Sequence, residues 1–152
     1  VSPDAGRAKL AKKFAEMLDA SLAIIAKERP RHSEARVAEV VGEVRGRKAI
    51  ISDDIIDTAG TLCAGAEAVR RAGATSVVAC ATHPIFSPPA LERIEASVLD
   101  EVVVCDTVPV DLLRIPSKVR VLPVDGILAQ TIAEIFNDGS VSGLFGGENQ
   151  LF

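Results

Sequence analysis

Short continuous apolar runs alternate along this chain with longer stretches in which apolar residues recur every third or fourth position. Runs of strand length occupy 22–26 (Leu-Ala-Ile-Ile-Ala), 76–81 (Ser-Val-Val-Ala-Cys-Ala), 101–105 (Glu-Val-Val-Val-Cys) and 119–122 (Val-Arg-Val-Leu). The run at 76–81 lacks polar alternation, which predicts a central strand of a parallel sheet. Helical spacing predicts a helix over 7–19 with Leu10, Phe14, Met17 and Leu18 on one face. A second helix runs from Thr61 to Ala72, with Leu62, Ala66 and Val69 inward and Gly73 as its stop. Ser87-Pro88-Pro89-Ala90 opens a short helix to Ala96, and a last helix over 125–137 gathers Leu128, Ile132, Ile135 and Phe136. Residues 36–44 and 48–52 read as a hairpin turning at Arg45-Gly46-Arg47, and 110–116 as an irregular connection. This order predicts an α/β fold, a mostly parallel sheet with helices on both faces and one hairpin. No internal repeat or linker interrupts it, and residues 1–152 suit a single domain.

The strand at 48–52 is the one that carries chemistry. It runs into Asp53 and Asp54, then Asp57-Thr58-Ala59-Gly60-Thr61 leads into the next helix. Ligands of open α/β sheets bind at the carboxyl ends of the strands. Two adjacent carboxylates there can accept hydrogen bonds from a diol or hold a divalent cation. The turn from Thr58 to Thr61 offers amides, two hydroxyls and a helix N-terminus, which suit a phosphate. Acids for a sugar beside a nest for a phosphate suggest a sugar phosphate. The same residues also fit an Asp-rich turn with Thr61 as helix cap.

Two further segments stand out. Lys27-Glu28-Arg29-Pro30-Arg31-His32-Ser33 follows the first apolar run. It can be a solvated charge run, or its cations can stabilise charge on transferring phosphoryl groups while the loop excludes water. Thr82-His83-Pro84 falls at a strand end near the turn, and His83 suits a loop anchor. Asp4 follows Pro3, as a turn residue or cap would, and Arg7, Lys9, Lys12 and Lys13 read as solvated.

Composition narrows the field. Net charge is −4, which leaves no basic footprint for nucleic acid, and no apolar run reaches the length of a membrane helix. Tryptophan and tyrosine are absent, so the core must be aliphatic. Cys63, Cys80 and Cys105 are odd in number and lack CxxC spacing, which predicts buried free thiols and a cytoplasmic setting.

Taken together, VSPDAG (1–6), AIIAKERPR (23–31), IISDDIIDTAGT (50–61), ATHPIFSPPALERI (81–94) and GSVSGLF (139–145) resemble the ribose-phosphate diphosphokinase family of the type I phosphoribosyltransferase fold. These pieces span nearly the whole chain. The family makes PRPP and AMP from ATP and ribose 5-phosphate, with Mg²⁺. The resemblance implies that Lys27 and Arg29 are catalytic cations and that Asp53, Asp54, Asp57, Thr58, Ala59, Gly60 and Thr61 bind ribose 5-phosphate. It implies Asp4 as a metal ligand. Ser140, Ser142 and Phe145 would belong to a regulatory site for ADP or phosphate between subunits of a homo-oligomer, a hexamer in the family; Gly143 stands where the family has an aromatic residue. Segments of this kind lie in the second half of the family's chains, so the chain is expected to be the carboxyl-terminal half of a two-domain enzyme. The alternatives are a non-catalytic, synthetase-associated regulatory subunit and a phosphoribosyltransferase that consumes PRPP.

Overall fold

The computed structural model describes residues 1–27 and 38–146. Val1–Leu122 form one compact unit and the residues from Pro123 onward a second. In the first unit, β1 (Ile24–Lys27) pairs antiparallel with β2 (Ala38–Val41), with Ile24 opposite Val41 and Lys27 opposite Ala38. The principal sheet contains β3 (Lys48–Ile56), β4 (Ser76–Pro84), β5 (Glu101–Cys105) and β6 (Val119–Leu122), all parallel and in chain order. Parallel neighbours need crossovers. Helix α2 (Gly60–Arg71) joins β3 to β4, and α3 (Ala90–Ala96) joins β4 to β5. Helix α1 (Ala8–Met17) follows a 3-10 turn at Ala5–Arg7 and precedes β1.

Two expectations need correction. The hairpin forms between β1 and β2, while β3 turns away to pair in parallel with β4. Residues between β2 and β3 are set by positive φ angles at Gly42 and Gly46, and the Gly46 amide donates to the Gly73 carbonyl instead of closing a ladder (2.8 Å). On α1, Leu10, Met17 and Leu18 are exposed and Ala11 is the buried residue. β4 is the central parallel strand that its apolar run predicts, between β3 and β5, and its burial alternates: Val77, Ala79 and Ala81 are buried, whereas Ser76, Val78 and Cys80 are half-buried. An apolar run is thus compatible with a sheet that is sealed on one face and only partly covered on the other.

The sealed face is the core. Val77, Ala79, Val102 and Val104 lie under Leu62, Ala66 and Val69 of α2 and Ile94 of α3, as the 3.6-residue spacing of α2 requires. Burying each of the larger aliphatic side chains contributes about 1.5–3 kcal/mol. Small residues let α2 come close. A Cβ on Gly65 would stand 2.8 Å from Cδ1 of Ile25, so the bare position lets Ile25 of β1 pack directly against the helix.

Val1 and Ser2 splice the two sheets. Ser2 donates its amide to the Ala23 carbonyl (2.8 Å) and accepts from the Ile25 amide (3.0 Å). On the other side, Val1 accepts from the Ser52 amide (3.2 Å) and its amino group donates to the Ile50 carbonyl (2.6 Å). Ser2 is fully buried, and its hydroxyl donates to the Asp4 carbonyl (2.6 Å). This splice brings Asp4 and Arg7 to β3.

The second unit contains α4 (Asp125–Phe136) and a 3-10 turn at Val141–Phe145. Leu128, Ile132, Ile135 and Phe136 are exposed on α4. In the tail the Ser140 and Ser142 hydroxyls are 2.9 Å apart.

Gly42 has φ +116°, and a Cβ there would lie 2.9 Å from the Ala23 backbone. Gly42→Ala should therefore destabilise the chain by more than about 1 kcal/mol. A urea midpoint unchanged from the parent would contradict this.

Candidate functional site

β3 does not stop at its acids. Its pairing runs through Asp53 opposite Ala81 to Ile55 opposite His83 and Ile56 opposite Pro84. The acids therefore lie within the last turns of the ladder, held by a rigid strand. Asp53 Oδ1 accepts the backbone amide of Asp54 (2.9 Å). Adjacent carboxylates repel unless a cation answers them, and Arg7 does so. Its Nε lies 3.1 Å from Asp53 Oδ1, and its Nη2 is paired with Asp54 Oδ2. The Arg7 amide in turn donates to Asp4 Oδ1 (3.0 Å), so Asp4 caps the 3-10 turn that carries Arg7. Arg7, read from sequence as solvated, instead gathers Asp4, Asp53 and Asp54 into one cluster.

The two acids titrate apart. Burial is the largest influence on Asp53 and keeps its carboxyl above the usual value despite Arg7. Burial also pushes Asp54 up, but its hydrogen bonds with Arg7 and Asp53 outweigh that and hold it below the usual value. The hydrogen bond to Asp54 raises Arg7. Asp53 is accordingly the first of the pair to take a proton as pH falls.

The turn after β3 opens α2 at Gly60, with Ala59 as its N-cap. Ala59 is in the left-handed region (φ 57°), and its side chain makes no cap hydrogen bond. Thr61 lies inside the helix, so the reading of Thr61 as the cap does not hold. A left-handed alanine costs about 1–2 kcal/mol, and such residues gather at ligand sites. Here a left-handed residue followed by a right-handed one turns successive amides toward the same side, the geometry of an anion nest. Asp57, Thr58 and Thr61 are exposed and Ala59 is buried.

Sequence reasoning assigned no role to Arg93. From α3 its Nη1 donates to the Thr58 carbonyl (2.9 Å), behind the turn. A Cβ on Gly60 would stand 3.3 Å from that same nitrogen. The signal available was weak: an arginine one helical turn from Ala90, in a helix otherwise unremarkable in charge.

The remaining candidates fall out as follows. His83 Nδ1 lies 2.9 Å from Thr107 Oγ1, whose proton goes to the Thr82 carbonyl (3.0 Å). Thr107 must then accept from His83, which assigns the proton to Nδ1 and suits the loop-anchor reading. Lys27 ends β1; its side chain, Arg29 and His32 lie outside the described residues. Ser140, Ser142 and Phe145 belong to the second unit. The three cysteines are free but half-buried rather than buried. Burial pushes the Cys63 and Cys80 thiols up. Among the described residues no three His, Cys, Asp or Glu side chains could hold a metal together. Asp4 still fits Mg²⁺, which commonly takes one or two protein carboxylates with waters and substrate phosphates. Among the described residues no helix is long and apolar enough to cross a membrane.

An acid pair and an uncapped helix N-terminus thus share the carboxyl edge of a parallel sheet, the edge at which open α/β domains bind ligands. The family model described as phosphoribosyl synthetase-associated domain matches residues 30–146. The chain belongs to that family. It is 48% identical over 145 residues to a ribose-phosphate pyrophosphokinase of Fusobacterium nucleatum, covering 95% of this chain and 46% of the relative. The figures for a ribose-phosphate pyrophosphokinase of Staphylococcus aureus are 48%, 95% and 45%. A crystal structure of phosphoribosylpyrophosphate synthetase from Mycobacterium smegmatis superposes with a TM-score of 0.82 at 37% identity, over 91% of this chain and 44% of that one. The parallel sheet with its helices thus matches the fold of part of that synthetase. The chain spans less than half the length of these relatives.

Removing Arg7 tests the electrostatics of the pair. A lowered folded pKa means that Asp54 contributes stability above the ordinary carboxylate range, lost as pH falls through the lowered value; raised Asp53 works in the opposite sense, its contribution lost as pH rises through its folded value. In Arg7→Gln the Asp54 carboxyl should titrate at higher pH than in the parent, followed by carbon-detected NMR. An Asp54 titration that does not move would show that Arg7 is not what holds it down.

Proposed function

We propose that the chain is the ribose 5-phosphate-binding half, the carboxyl-terminal one, of a ribose-phosphate diphosphokinase. The observation that carries this is the continuity of Asp53 and Asp54 with the left-handed turn at Ala59 and the uncapped start of α2. Ribose 5-phosphate has a vicinal diol at one end and a dianion at the other, and this edge offers carboxylate acceptors followed at once by amide donors. The relatives' names and the order of the matching segments support the same reading.

In this mechanism Asp53 and Asp54 accept hydrogen bonds from the ribose hydroxyls, while the turn from Asp57 to Thr61 holds the 5-phosphate. Arg7 pairs with both acids and fixes them, and it helps to hold Asp54 below its usual value, so sugar binding does not have to bring its own counter-charge. The anomeric hydroxyl attacks the β-phosphorus of ATP, the bond to the α-phosphate oxygen breaks, AMP leaves, and the hydroxyl proton is lost to solvent. Lys27 and Arg29 stabilise charge on the phosphoryl oxygens as that bond breaks. Asp4 would hold Mg²⁺, which when bound neutralises the ATP phosphates. Positioning and electrostatics suffice, and the reaction needs no covalent nucleophile. Ser140, Ser142 and Phe145 would take part in control by ADP or phosphate between subunits of a cytoplasmic homo-oligomer.

AMP release from ATP, with Mg²⁺ and with or without ribose 5-phosphate, tests the reading in this chain and in the longer enzyme it would be half of. AMP that depends on ribose 5-phosphate in the longer enzyme is expected. Its absence from a folded longer enzyme would instead favour the non-catalytic associated subunit. PRPP consumption with a free base would favour the transferase. In the active enzyme, Lys27→Ala should lower kcat by roughly a hundredfold or more with ribose 5-phosphate affinity little changed, since the lysine acts on the transition state. A change in KM alone would remove that role. Asp53→Ala should weaken ribose 5-phosphate binding about tenfold, the scale of one hydrogen bond to a charged group. Equal affinity in a folded variant would refute the diol assignment.

A further inference from the structure

We infer that Arg93 is a positioning residue for the phosphate end of the site, acting through the Thr58–Ala59 peptide. The inference rests on the proposed reading of that turn as the 5-phosphate site. Its starting point is geometric. Arg93 projects from α3, a different segment of the chain from the turn, and donates Nη1 to the Thr58 carbonyl at 2.9 Å. A trans peptide is planar, and its carbonyl and the following amide point in opposite directions. Drawing the Thr58 oxygen toward Arg93 therefore aims the Ala59 N–H the other way, toward the side on which the first amides of α2 open.

Three features of the turn then have one cause. Ala59 must adopt the left-handed region for its peptide to be oriented this way, and it does (φ 57°). A left-handed, buried alanine needs outside support to persist, and the guanidinium supplies it from α3. Gly60 leaves room for the guanidinium, since a Cβ there would stand 3.3 Å from Arg93 Nη1, tighter than ordinary contact. The glycine of the turn thereby serves the arginine behind it as well as the anion in front. The carbonyl, the group in the turn that would repel a phosphate, is turned away from the anion and neutralised.

Arg93 does not touch the phosphate in this arrangement. Its positive charge still lies within one peptide of the anion, so it adds to the field of the helix N-terminus. Lysine at this position would keep the charge and one donor but lose the planar fork that fits a carbonyl from a fixed direction.

The experiment is an amide-resolved NMR titration of the folded chain with ribose 5-phosphate and, separately, with ribose lacking the phosphate. In the parent, ribose 5-phosphate should shift the amides of Ala59, Gly60 and Thr61. In Arg93→Ala the affinity for ribose 5-phosphate should fall about tenfold, the scale of losing one charge-assisted hydrogen bond. The ligand-induced shift at Ala59 should disappear, while the response of the Asp53 and Asp54 amides to ribose persists. Arg93→Lys should recover affinity to within about threefold of the parent, because it keeps a charged donor. Unchanged affinity and an unchanged Ala59 shift in Arg93→Ala would overturn the inference. So would an equal loss of response to ribose and ribose 5-phosphate, which would mean general damage to the fold. If the folded parent itself shows no shift at Ala59, Gly60 and Thr61, the reading of the turn fails, whatever Arg93 does.

Discussion

Two carboxylates side by side on a strand are an electrostatic liability, and the arrangement around β3 follows from the way it is met. Arg7 can reach Asp53 and Asp54 only because the chain before it is tied down. Val1 and Ser2 are bonded to β1 on one side and β3 on the other, and Asp4 then caps the turn that presents Arg7. A bridge between two sheets thus becomes an ion pair at a ligand edge. Were the splice released, Arg7 would lose its fixed origin and the acids would repel without an answering charge.

The second constraint is the turn at Ala59. An alanine in the left-handed region is unfavourable by itself, yet the chain places it where β3 hands over to α2. The strain is held by packing, since Ala59 is buried, and by Arg93 from α3. Three separate pieces of chain, the amino-terminal turn, the β3–α2 turn and α3, therefore meet on one edge of the sheet. The first and the last contribute an arginine each, and each arginine acts on a neighbour through short, directional bonds. The rigid parallel sheet makes this possible because the carboxyl ends of its strands share one edge.

Much of this was legible in the residues. The inward face of α2, the strands at 101–105 and 119–122 and the short helix from Ala90 all follow from spacing and turn chemistry, which are local signals. The twelve residues from Ile50 to Thr61 announced acids followed by a nest. What local pattern could not give is pairing between distant segments. Arg45-Gly46-Arg47 looks like a hairpin turn between β2 and β3, but tertiary contacts draw β3 to β4 and leave β2 to β1. On α1 the periodic leucine and methionine positions proved exposed, since Ala11 is the residue that fits closely. Periodicity identifies a face, and packing then selects which residues on it can approach.

Arg7 and Arg93 show why the chemistry was harder to read than the fold. Both stand in segments whose charges look solvated in sequence, and each is distinguished only by what it meets across 35 or more positions: Arg93 reaches Thr58 at a separation of 35, and Arg7 reaches the acids of β3. Arginine suits this task because its planar fork can satisfy two acceptors from a fixed direction while its stem spans the gap. A lysine at position 7 would offer a point charge and could not bind Asp53 and Asp54 by separate nitrogens of one plane. The site is thus defined by its acids and amides, but its geometry depends on two arginines that stand outside the signature, one ahead of the acids and one behind the turn.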